Sequence, residues 1–90
     1  MSVLLIELRD KMKTTIYLQT EYMTLTQMLK EANIIGSGGQ AKWYLADNTV
    51  FVDGEPENRR GRKLYAGMMI EIPGEGTFFM KSQDQLNETE

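Results

Sequence analysis

Four cations fall within five positions at Arg59, Arg60, Gly61, Arg62 and Lys63, and a glycine pair precedes an amide side chain at Gly38, Gly39 and Gln40. Guanidinium groups offer forked, charge-assisted hydrogen bonds to phosphate oxygens, so the first stretch suits contact with a polyanion. The second suits a phosphate differently: glycines leave backbone N–H groups uncovered at the start of a helix, where the helix dipole is positive. Lys42 follows closely as a further phosphate contact, and Trp43 can stack on an unpaired base, worth roughly 1–3 kcal/mol. Each feature also has a plainer reading: arginines balanced by Glu55 and Glu57, glycines that permit a tight turn, a solvated lysine, a tryptophan packed on a sheet.

Other chemistry is scarce. The chain has no histidine and no cysteine, which removes thiolate and imidazole metal ligands and the usual general bases. No catalytic residue, metal site, cofactor or small-molecule substrate is assigned. The glycine-rich segment lacks the Gly-Lys-Ser/Thr ending of a nucleotide-binding loop. Gly-Gly-Gln is also the tripeptide with which peptide release factors promote hydrolysis of peptidyl-tRNA, but there it tips a separate loop of a far larger protein. In 90 residues it reads instead as the start of a helix.

The net charge of −3 argues against a nucleic-acid partner only if charge is evenly spread. From Met12 to Ser82 eight basic residues meet eight acidic ones, so that body is neutral and the basic cluster stands out within it. No apolar run approaches the roughly 20 residues that span a bilayer, and Glu7 and Asp10 interrupt the amino end, so a cytoplasmic protein with no membrane partner is expected.

The elements that must position these residues follow from local pattern. A strand is expected over Thr14 to Tyr22, with Ile16 and Leu18 on one face. Thr24 and Gln27 form a capping box for a helix over 25–32, which Asn33 and Gly36 end. Ser37 and Gln40 repeat the signal before a second helix with Ala41, Tyr44 and Leu45 on its apolar stripe. Val50 and Val52 mark a strand turning at Asp53-Gly54; Met68, Ile70 and Ile72 mark another, and Pro73 to Gly76 turn into a last strand at Thr77 to Met80. The fold class is α+β: two short helices packed on a small, mainly antiparallel sheet of about four to five strands. Residues 1–11 are expected to be an amino-terminal extension, either a short strand or helix added to the domain edge or a dispensable segment, with 12–81 the domain and 82–90 a disordered polar tail.

The order helix, glycine-rich link, helix, strand, Asp-Gly, basic loop and glycine-led strand resembles the alpha-L RNA-binding motif named after small-subunit ribosomal protein S-four. Leu25 and Leu29 resemble its first-helix core pair, Ser37 and Ala41 its second-helix serine and alanine, Val50, Val52, Asp53 and Gly54 its hairpin, and Gly67 its later glycine. The stretches "YLQTEYMTLTQMLKEANIIGSGGQAKWYL" and "VFVDGEPENRRGRKLYAG" are similar to the stand-alone YaaA/RlbA family of low-GC Gram-positive bacteria, whose members begin near the position of Met12. Gly38, Thr24 and Asn48 stand where the motif usually has arginine, a basic residue and glycine, so the basic loop and Lys42 are expected to supply the missing cations. The resemblance implies a non-catalytic, monomeric, bacterial protein that contacts structured rRNA and assists large ribosomal subunit assembly. The implied RNA-binding residues are Gly38, Gly39, Gln40, Lys42, Arg59, Arg60, Arg62 and Lys63, with Trp43 for base stacking. A protein-interaction module and a binder of tRNA or another structured RNA are the alternatives.

Overall fold

The computed structural model describes residues 12–83. The expected amino-terminal extension and residues 84–90 of the expected tail lie outside the described residues. Five strands form the main sheet: β1 (Lys13–Leu18), β3 (Val50–Val52), β4 (Glu55–Glu57), β6 (Met69–Ile72) and β7 (Gly76–Ser82), in the order β1-β7-β6-β3-β4. All neighbours are antiparallel except β1 and β7, which run parallel. Two further strands, β2 (Tyr22–Thr24) and β5 (Lys63–Tyr65), pair as a separate antiparallel ribbon. Helices α1 (Leu25–Glu31) and α2 (Ala41–Asp47) complete the α+β fold, with a 3-10 turn at Gly38–Gln40 leading into α2.

Alternating apolar residues line the sheet face that meets the helices. Ile16, Leu18, Val50, Val52, Ile70, Ile72, Phe78 and Met80 join Leu25, Met28, Leu29, Ala41 and Leu45 in one buried cluster. Removing this apolar surface from water is the main force holding the two layers together. Among the described residues no helix is long and apolar enough to cross a membrane.

Local chemistry sets the boundaries. Thr24 caps α1: the Gln27 amide N–H donates to Thr24 Oγ1 at 3.2 Å, and Gln27 Oε1 accepts from the Thr24 N–H at 2.9 Å. The helix ends one residue earlier than its apolar spacing suggests, because Asn33 takes a left-handed φ of 60°. Its N–H donates to Lys30 O at 3.0 Å while that of Ile34 donates to Leu29 O at 2.9 Å, a Schellman arrangement that satisfies the last carbonyls. Asp53 and Gly54 both have positive φ, 52° and 86°, the twist a two-residue hairpin needs between β3 and β4.

The first strand does not continue into Tyr22 as its alternation suggests. The chain bends over 19–21 and starts β2, which pairs with β5 instead of β7. The last strand runs to Ser82, one residue into the stretch expected to be tail, because it pairs with Leu18 across the parallel ladder.

Candidate nucleic-acid interface

The basic segment is less a loose loop than a strapped one. It leaves β4 at Glu57, whose side chain is only 6% exposed, and re-enters a strand at Lys63. Glu57 accepts four hydrogen bonds: from the Arg59 amide at 3.0 Å, Arg59 Nε at 2.9 Å, Arg59 Nη2 at 3.0 Å and Arg62 Nη1 at 2.6 Å. The fork from Arg59 is the largest influence on the carboxyl group and outweighs its burial, lowering its pKa to about 2. The side chain of Arg59 nonetheless stays 71% exposed and that of Arg62 29%, so both can meet a further anion.

Two more straps come from α1. The Leu25 N–H donates to Arg62 O at 2.8 Å, and the Thr26 N–H donates to Arg60 O at 3.1 Å. Thr26 Oγ1 donates to the same Arg60 carbonyl at 3.0 Å. The first N–H groups of α1 are thereby used by the protein's own backbone, which leaves that helix end no donors for a phosphate. The straps hold the backbone of Arg60 and Arg62 in place while the Arg60 side chain lies exposed, in no ion pair among the described residues.

Thr26 also lies beside the glycine segment: a Cβ built on Gly38 would come 3.7 Å from its methyl group. One threonine is therefore bonded to the basic segment and adjacent to the 3-10 turn. Within the turn, Gln40 Oε1 accepts the N–H groups of Gly36 and, at 3.2 Å, Ser37. Gln40 thus serves as the cap expected of it, and the amides left for a ligand are those of Gly38 and Gly39. The 3.7 Å from a Gly38 Cβ to Thr26 is an ordinary contact distance, so crowding at the Cβ position does not require glycine there.

Lys42 and Trp43 occupy the outer side of α2, with Lys42 Nζ 5.5 Å from the indole centroid. Trp43 is 68% exposed, which overturns its packing against the sheet: Ala41 and Leu45 take the buried face and Tyr44 the flank. Burial, and then the nearby Glu75, push the Tyr44 phenol up, so it remains a neutral hydrogen-bonding group. Trp43 shares a groove with Ile34, Gln40 and Tyr44, whereas Arg59, Arg62 and Lys63 line a different one. The candidate residues accordingly form two neighbouring groups that meet at Thr26 rather than one pocket. Thr26 and Glu57 are the positioning residues that sequence pattern does not reveal as such; the only local signal is the placement of Glu57 two residues before Arg59.

The amino-acid sequence, compared with known proteins, matches a described family. The sequence profile of the S4 domain matches residues 16–79. The "Probable ribosome maturation protein RlbA" of Bacillus subtilis (strain 168) is 54% identical over 67 residues, covering 74% of this chain and 94% of that protein.

Proposed function

Because the chain belongs to the S4 domain family, as a relative of the stand-alone RlbA type, we propose that it is a non-catalytic RNA-binding protein that contacts structured rRNA and assists assembly of the large ribosomal subunit. The observation that carries this reading is the fixed basic segment. Arg60 and Arg62 are pinned through their carbonyls, Arg59 and Arg62 through Glu57, and the Gly38–Gln40 turn lies beside Thr26, which is bonded to Arg60. Cations on a fixed backbone match the phosphate spacing of a folded RNA without a large ordering cost, which a disordered basic tail would incur.

In this reading Arg59, Arg60, Arg62 and Lys63 contact phosphates, the amide N–H groups of Gly38 and Gly39 donate to another, and Lys42 and Trp43 extend the surface along α2. Such contacts set position and orientation and depend on shape more than on base sequence. The name of the Bacillus subtilis relative, which speaks of ribosome maturation, supports rRNA over other structured RNAs. A monomer in the bacterial cytoplasm suffices for this role.

Sedimentation of a cell lysate through a sucrose gradient tests it. The protein is expected to travel with large-subunit precursor particles in 0.1 M salt and to leave them in 0.5 M salt, since phosphate contacts are salt-sensitive. Association that resists both salt and nuclease would assign the surface to a protein partner, and migration with tRNA would replace rRNA in the reading.

A further inference from the structure

The outer face of the β2–β5 ribbon is unexplained by phosphate contact. Its register sets Tyr22 opposite Tyr65, Met23 opposite Leu64 and Thr24 opposite Lys63. Leu64 is fully buried and Met23 packs against the core, so the alternation of a strand turns Tyr22, Lys63 and Tyr65 outward together. The two tyrosine rings lie 5.8 Å apart at a tilt of 52°, and each residue is 38% exposed. Lys63 Nζ sits 4.9 Å from the centroid of Tyr22, which occupies one face of that ring. Tyr65 is the better platform. Its amide donates to Met68 Sδ at 3.3 Å, and it lines an open groove of about 500 Å³ with Arg59, Gly61, Arg62, Lys63 and Met68.

We propose that this ribbon is a stacking site for an unpaired RNA base, with Tyr65 as the platform and Lys63 as the phosphate contact beside it. The inference rests on the RNA-binding reading above and adds a preference for a nucleotide outside a helix. Two observations select this occupant. The groove holds three cations against the single carboxylate that pairs two of them, a net charge of +2, which favours an anionic partner. An aromatic wall beside cations matches the two halves of a nucleotide, and only an unpaired base has a face to offer, because bases within an A-form helix are stacked on one another.

The test is a proton NMR titration of the full chain with a tetra-adenylate RNA and with a tetramer of the same charge whose four riboses carry no base. The Tyr65 ring signals are identified by their loss in Tyr65→Thr. The expected result is an upfield shift of those signals with tetra-adenylate and none with the abasic tetramer. Tyr65→Thr should weaken tetra-adenylate binding at least fivefold, and Tyr65→Phe should retain it. An unmoved Tyr65 ring, or equal binding of both tetramers, overturns the stacking site even where the protein still binds rRNA in a gel-shift assay. Loss of rRNA binding in wild-type protein would overturn the RNA reading and this inference with it. Equal weakening of both tetramers by Tyr65→Thr would place Tyr65 in support of the ribbon and overturn the proposal as well.

Discussion

Replacing Arg60 and Lys63 together by glutamine is expected to lower affinity for large-subunit rRNA roughly 25- to 60-fold in 0.1 M salt. Each phosphate contact releases condensed counterions, so its share of the binding constant grows about five- to eightfold for every tenfold drop in salt, and two contacts multiply. The pair is chosen because neither side chain takes part in an ion pair among the described residues. Glutamine keeps an uncharged polar group on the surface, so stability should change by less than about 1 kcal/mol, mainly from the lost cation contact on Tyr22. Filter binding across a salt series reads both quantities: affinity falls, and the slope of log affinity against log salt becomes shallower by about 1.5. An unchanged slope would mean that these cations do not touch phosphate. Reversing Arg59 would be a poorer choice, since a second carboxylate beside Glu57 would disrupt the strap as well as the charge.

The second large effect belongs to Glu57→Gln, and it falls on stability. The wild-type carboxylate is buried and accepts four hydrogen bonds from two arginines. Bonds to a charged group are worth more than neutral ones, but the solvent exposure of Arg59 screens its share, so a loss of about 2 kcal/mol is expected at neutral pH. The pH dependence has a definite sign. The folded pKa of about 2 lies below the ordinary 4.5, so the contribution is complete above about pH 4.5 and disappears as pH falls toward 2. Urea unfolding of the wild-type protein should therefore weaken through that window, and Glu57→Gln should lack this part of the decline. Amide exchange at Arg59 should quicken in the variant, because one uncharged oxygen then serves donors that two carboxylate oxygens shared.

Elements determined by neighbouring residues were legible in the sequence. Thr24 and Gln27, Asn33, and Asp53-Gly54 act within four residues of themselves, and the structure uses each as cap, stop or turn. The rest depends on distant pairings. The hydrogen bond of Thr26 to Arg60 spans 34 positions, and no local pattern announces it. The parallel pairing of β1 with β7 and the β2–β5 ribbon are likewise set by what the folded chain brings together. The ribbon explains why Lys63, grouped with a loop by composition, lies on a strand, and why Tyr22 and Tyr65, unremarkable as isolated aromatics, form a pair. The orientation of Trp43 was partly readable: with Ala41 and Leu45 inward and four apart, the residue two places after Ala41 must point away from them. The cations were legible as a cluster, yet their partition was not, because Glu57 had first to be buried for Arg59 and Arg62 to be tied, with Arg60 in no ion pair among the described residues.

The central claim is that this strapped basic surface binds rRNA of the large subunit, and crosslinking in living cells followed by sequencing of the bound RNA tests it most directly. The account predicts clustered crosslinks on large-subunit rRNA or its precursor, lost in a strain carrying the Arg60→Gln and Lys63→Gln substitutions. Crosslinks spread without enrichment over that RNA, or unchanged in the substituted strain, would contradict it.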